Sequence, residues 1–196
     1  MVITNDIVKE ELEEYSNKNT KIGREIKSGK LIKIINGLYE TNPNVEGYLL
    51  ANNIYGPSYL SFDFALYYHG LIPERVVTYT SATCEKKKKK EYSNHFGMYI
   101  YRDVPVEVYP LGILLIEENG YSYQIATPEK ALCDKLYTIS PIKNFKELKQ
   151  LLFEDLRIDE EKFGALNIKN IEEISKSYHS TNVDLLYKFM RRSTNE

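Results

Sequence analysis

The sequence predicts an α+β protein: a small winged-helix-like N-terminal unit, a mainly antiparallel sheet packed with helices, and a C-terminal helical segment. Three observations carry this. Charge is split sharply within residues 1–42, runs of β-branched and aromatic residues alternate with Asn-Gly turn signals in the middle, and helix-start signals with helical apolar spacing fill the end. At 196 residues, 42% hydrophobic and 28% charged, the chain can bury a sizeable core without staples.

From Met1 to Ser16 the charges are Asp6, Glu10, Glu11, Glu13 and Glu14 against Lys9; from Asn17 to Ile35 they are Lys18, Lys21, Arg24, Lys27, Lys30 and Lys33 against Glu25. Asn5 or Asp6 caps a first helix that buries Ile7, Val8, Leu12 and Tyr15. After a polar break at residues 16–19, Thr20 or Asn19 opens a second helix, with Ile22 and Ile26 inward and Gly29 ending it. Leu31–Ile35 reads as a strand, Asn36-Gly37 as a two-residue turn, and Leu38–Glu40 as the return. Two helices and a hairpin make the end of a winged helix-turn-helix, where three helices usually precede the wing. Asn42-Pro43-Asn44 reads as the linker, giving units 1–42 and 43–196.

In the second unit Val45–Ile54 can be helical and Gly56-Pro57 breaks it. Ser61 caps a helix that stops at Gly70. Strands are expected at Arg75–Thr83, Met98–Arg102, Val104–Tyr109, Gly112–Glu117 and Tyr121–Ile125, with Asn119-Gly120 turning between the last two. Thr127-Pro128-Glu129 is a helix start: a capping Thr, Pro at the first position, and an acid at the positive end of the dipole. Asn144 with Glu147, Asn170 with Glu173, and Asn182 or Thr181 open the remaining helices.

Several chemistries are disfavoured. Net charge is −2, so nucleic-acid binding must come from a local patch. Cys84 and Cys133 are far apart, and His69, His95 and His179 are scattered, so neither a metal nor a cofactor is expected. There is no P-loop and no G-x-S-x-G. Asp159 and Glu161 suit a helix start better than a cation. The Glu85-x-Lys87 pair lacks an upstream Asp on a strand, and Glu129 and Asp134 diverge on their helix. No catalytic residue is assigned and a non-enzymatic role is expected. The acidic start without an apolar core region, and a longest apolar run near Leu111–Ile116, predict a cytoplasmic protein without membrane contact. The run Lys86–Lys90 reads first as a solvated loop.

The candidate site is the second helix and its hairpin. Lys21, Arg24 and Lys27 lie away from the Ile22/Ile26 face, and Lys30 and Lys33 extend the positive stripe toward a wing. Such a stripe neutralises phosphates and releases counterions. The alternative is a solvated face of a small packing module.

Three stretches carry a family resemblance: Gly29-Lys30-Leu31-Ile32-Lys33 through Asn36-Gly37-Leu38-Tyr39; Gly56-Pro57-Ser58-Tyr59-Leu60-Ser61 through Tyr67-Tyr68-His69-Gly70-Leu71-Ile72-Pro73-Glu74; and Ile125-Ala126-Thr127-Pro128-Glu129-Lys130-Ala131-Leu132-Cys133-Asp134. In order and spacing, from about Thr20 to about Ser140, the chain resembles AbiEi-type antitoxins. The resemblance implies a type IV toxin–antitoxin pair. The antitoxin would counteract a nucleotidyltransferase-like toxin and repress its own operon through basic residues matched by Lys21, Arg24, Lys27, Lys30 and Lys33. The implied partners are operator DNA and the toxin or its target; the alternative is a stand-alone winged-helix transcriptional regulator. The N-terminus is shorter than in fuller members of that family.

Overall fold

The structure, a computed structural model, describes residues 1–12 and 14–193, with the backbone alone for Glu11 and Ser193. Glu13, counted above among the N-terminal acids, lies outside the described residues.

The N-terminal unit runs β1 (Val2–Thr4), α1 (Asn5–Glu11), α2 (Lys18–Lys27), β2 (Ile32–Ile35) and β3 (Leu38–Glu40). Its antiparallel sheet has the order β1-β3-β2. The register sorts the side chains onto two faces. Ile3, Tyr39 and Lys33 lie in one row, and Val2, Glu40 and Ile32 in the next. Ile3 and Tyr39 join Val8, Ile22 and Leu31 in a small core under the helices, with Leu12 and Ile26 against it. Ile34 belongs to the main core, and Val2, Ile32, Ile35 and Leu38 pack on that core too. A register shift between Lys33 and Ile35 lets Ile34 and Ile35 both serve the main body. The small sheet is therefore sandwiched between its helices and the large lobe.

Three expectations are corrected here. The N-cap of α1 is Thr4 rather than Asn5 or Asp6, with Asn5 N–H donating to Gly37 O at 2.8 Å. Ile7 and Tyr15 are exposed, so Val8 and Leu12 alone face inward. Helix α2 opens one turn early at Asn17, whose Oδ1 accepts from Thr20 N–H at 3.1 Å.

The large lobe is built on a mixed six-stranded sheet of order β6-β7-β5-β4-β9-β8. The strands are β4 (Tyr59–Leu60), β5 (Thr78–Thr83), β6 (Lys90–Asn94), β7 (Gly97–Asp103), β8 (Ile113–Glu118) and β9 (Tyr121–Ala126). Pairs β6/β7, β4/β5 and β8/β9 are antiparallel, while β5/β7 and β4/β9 are parallel. On one face a 3₁₀ turn (Gly47–Leu50) leads into α3 (Ala51–Ile54). Tyr99 and Tyr101 donate from β7 to their carbonyls, Gly47 O at 3.1 Å and Ala51 O at 2.7 Å. On the other face lie α4 (Phe62–Tyr68) and α5 (Pro128–Tyr137). Outside them come α6 (Phe145–Gln150), a π-helical turn (Leu151–Asp155), α7 (Glu160–Gly164), α8 (Ile168–Tyr178) and α9 (Thr181–Ser193). No helix among the described residues is long and apolar enough to cross a membrane.

The segment expected as a strand at Val104–Tyr109 is instead a run of turns. Pro105 and Pro110 lack the N–H a ladder needs, and Pro105 O accepts from Val108 and Tyr109 N–H within the loop. Two expected caps are not the ones used, although α9 does begin at Thr181, the alternative to Asn182. Helix α8 starts at Asn167, not Asn170, and Asn182 in α9 donates to Leu136 O and Ile139 O while accepting from Ile142 N–H.

Ser61 is the third such case, and it leads to the polar centre of the fold. Its hydroxyl makes no cap bond to α4; it donates to Asp134 Oδ2 at 2.5 Å, and Thr80 Oγ1 accepts from Phe64 N–H in its place. Asp134 Oδ2 also accepts from Tyr59 OH at 3.0 Å, and Oδ1 from Tyr178 OH at 2.6 Å. Lys130 Nζ lies 2.9 Å from Oδ1, one turn back on α5, with both side chains fully buried. The Lys130 ammonium is an ion-pair contact without an aligned hydrogen bond, and it also faces the Tyr59 and Tyr178 rings. Burial first, then the Asp134 charge, push the Tyr59 and Tyr178 phenols up, which keeps both protonated as donors.

Removing one partner of a buried ion pair strands the other charge, which costs about 3–5 kcal/mol. Asp134→Asn is expected to destabilise the chain by about that much in urea melts. The double variant Lys130→Met/Asp134→Asn should lose less than the sum of the two single changes. Simple additivity would show that the pair is not coupled.

Candidate nucleic-acid interface

Helix α2 exists because its ends are closed locally and its inner face is apolar. Asn17 caps it, and Gly29 continues past it with φ 77°, where a side chain would be strained. Ile22 is buried and Ile26 packs on the same cluster, so the opposite face must look outward.

On that outward face Arg24 and Lys27 are exposed, with Lys30 beyond the helix end and Lys33 on β2. Lys33 pairs with Tyr39, so it stands on the helix side of the small sheet. Lys21 differs: it is half-buried, its Nζ is 2.8 Å from Glu25 Oε1, and it lies over the Tyr15 ring at 4.9 Å. Glu25 also reaches Lys30 Nζ at 3.6 Å. The hydrogen bond to Glu25 holds the Lys21 ammonium above its ordinary value, and the same bond holds the Glu25 carboxyl below its own. One carboxylate therefore serves two of the five expected cations. Arg24, Lys27 and Lys33 make no ion pair among the described residues. Of the acids of this unit whose side chains are described, Asp6, Glu10 and Glu14 belong to α1 and the turn after it, Glu40 is buried, and Glu25 is taken up by Lys21 and Lys30, so attraction to a polyanion has to come through the remaining cations of α2 and the hairpin.

Two residues of this surface were not assigned to it from the sequence, where Thr20 was read only as a helix opener. Thr20 is exposed one turn before Arg24, and Gly23 lies between them, with open space where its Cβ would be. With Lys27 they form one stripe at i, i+3, i+4 and i+7, whose low relief at Gly23 lets a backbone approach closely. Helical spacing from Arg24 was the signal that could have found them.

The lysine run does not behave as a free loop. Lys86 Nζ donates to Gly56 O at 3.1 Å and lies over the Tyr55 ring, Lys89 pairs with Glu91 at 2.5 Å, and Lys90 begins β6. Lys87 N–H donates to Asp103 Oδ2 at 2.6 Å, and Thr83 Oγ1 donates to Oδ1 at 2.6 Å. Asp103 is thus an anchor for the loop. Lys87 and Lys88 keep exposed side chains. Between the hairpin and β6 lies a groove of about 500 Å³ lined by Lys33, Ile34, Ile35, Asn36, Tyr92 and Asn94.

The other acids singled out in the sequence are occupied structurally. Asp159 Oδ1 caps α7 by accepting from Lys162 N–H at 2.8 Å, and Glu129 Oε1 accepts from Asn167 N–H at 2.9 Å. Among the described residues no group of three or more His, Cys, Asp or Glu is gathered. Burial pushes the Cys133 thiol up, and Cys84, half-buried, is raised for the same reason. No family model matches the chain, and no curated protein matches it.

Each phosphate neutralised adds about 0.9 to the slope of log affinity against log salt. Arg24→Gln/Lys27→Gln should therefore lower the slope for duplex DNA by about 2 and leave the melting temperature nearly unchanged. A titration of labelled duplex across a salt series reads both affinity and slope. An unchanged slope would remove α2 from the interface.

Proposed function

We propose that this chain is the antitoxin of a type IV toxin–antitoxin pair, acting in the cytoplasm against a nucleotidyltransferase-like toxin and repressing its own operon by binding operator DNA. The observation that carries the DNA part is the stripe of Thr20, Gly23, Arg24 and Lys27, which has no acidic partner among the described residues, with Lys33 also exposed on the hairpin. Exposed cations one turn apart on the outward face of a helix suit a polyanion's backbone better than they suit self-packing. The antitoxin part rests on the resemblance of the three motifs to AbiEi-type antitoxins.

The structural roles of those motifs agree with their being a folding signature. The second supplies Tyr59 and Ser61, and the third supplies Lys130 and Asp134; together they build most of the buried polar cluster. The reading assigns no catalytic residue, metal or cofactor.

Co-expression decides between this and a stand-alone regulator. With the gene product encoded beside it, the chain should restore growth to cells that the neighbour alone arrests. Rescue should survive Arg24→Gln/Lys27→Gln, because repression and antitoxin action belong to different lobes. Absence of rescue, alongside retained binding to upstream DNA, would leave the regulator reading and remove the antitoxin.

A further inference from the structure

The two edges of the large sheet are treated differently. Strand β6 carries Lys90 and Glu91, and its far end meets the hairpin, where Asn94 Nδ2 donates to Ile34 O at 3.2 Å. Charges and a covering element are ordinary protections for an edge. Strand β8, Ile113-Leu114-Leu115-Ile116-Glu117-Glu118, lies at the other edge; among the described residues no strand pairs with its outer side. Leu115 is 69% exposed and Leu114 41% exposed.

The outward groups of β8 can be identified. Thr127 N–H donates to Gly112 O at 2.8 Å, which makes Gly112 and Thr127 a hydrogen-bonded pair. Alternation then assigns Leu114, Ile116 and Glu118 to the bonds with β9, through their partners Ile125, Tyr123 and Tyr121. The backbone N–H and C=O groups of Ile113, Leu115 and Glu117 therefore point away from the sheet.

We infer that β8 is a self-pairing edge, and that its occupant is β8 of a second copy of this chain, antiparallel about a two-fold axis at Leu115. That register sets Leu115 opposite Leu115, and Ile113 opposite Glu117, so the outward groups of both copies satisfy one another in about six backbone hydrogen bonds. It sets Leu114 opposite Ile116 on the face shared with Tyr123 and Ile125, extending an apolar row across the junction. Charge fits the same axis. Glu117 and Glu118 fall opposite Ile113 and Gly112, and the two Glu117 side chains stay about 13 Å apart along the strands, beyond a Debye length at physiological salt. Pairing with a second copy in this register sets neither Glu117 nor Glu118 against another carboxylate, and it lays the exposed Leu115 of one copy on that of the other. The inference is independent of the DNA-binding reading.

Sedimentation velocity on the full chain, over a concentration series reaching about 100 µM, tests the pairing; a six-residue edge supports a dimer in the micromolar range rather than a tighter one. The wild-type chain should shift from monomer to dimer. Leu115→Lys and Leu115→Glu should each be monomeric across the series, and their equimolar mixture should recover the dimer because the opposed positions then carry opposite charges. Recovery in the mixture also shows that both variants fold. A wild-type chain that stays monomeric at every concentration overturns the inference, leaving the edge to a strand of a different protein. A dimer untouched by both substitutions, or a mixture that remains monomeric, overturns it equally.

Discussion

A carboxylate sealed away from water must be compensated on both oxygens, and Asp134 meets that demand with three side chains from distant parts of the chain and one from its own helix. Tyr59 comes from β4, Ser61 from the turn into α4, Tyr178 from the end of α8, and Lys130 from α5 itself. The cost of leaving any of these unpaired in a medium without water constrains the crossing of sheet and helices in a way apolar packing does not, because hydrogen bonds have direction. Phe62 shows the local consequence. It opens α4 with φ 54°, a conformation unfavourable for a bulky side chain, while Ser61 is held by Asp134 and Thr80 Oγ1 donates to Ser61 O at 2.6 Å.

That rigid body gives the N-terminal lobe something to stand on. Two faces of a three-stranded sheet are used at once, one for α1 and α2 and one for the main core. Glu40 strengthens the junction. Burial pushes its carboxyl up, but the N-terminal ammonium and the N–H groups of Asn42 and Thr41 outweigh that and hold it below its ordinary value. Tyr121 of β9, raised to about 12 by burial and then by the Glu40 charge, stands next to it. The cationic stripe on α2 is therefore presented by a fixed platform, and preorganisation of that kind lowers the ordering cost of binding.

Much of this was legible in the sequence, and the misses have physical causes. Asn-Gly turns, the Thr127-Pro128 helix start and the Asn144 cap are local chemistry, and the structure has them where spacing puts them. Strands β1 and β4 were missed because three and two residues give no periodicity to read. The Val104–Tyr109 strand was over-read because β-branched residues outvoted Pro105. Ser61, Asn170 and Asn182 satisfy the sequence rule for a cap, but a tertiary partner, or a competing Asn three residues earlier, decides the outcome. In the site, exposure of Arg24 and Lys27 followed from the position of Ile22 and Ile26 on the same helix. The pairing of Lys21 with Glu25 was present in the i, i+4 spacing, and its effect is to move the unshielded charge toward the C-terminal half of α2.

On the function proposed above, contact with DNA is confined to one face of the small lobe. Lysine acetylation of the full chain, with and without the DNA upstream of its own gene and read by mass spectrometry at every lysine, is the decisive measurement. Protection is expected at Lys27, Lys30 and Lys33, with weaker protection at Lys21 and unchanged reactivity at Lys146, Lys149 and Lys169. Protection of those last three with the first set left reactive would contradict it.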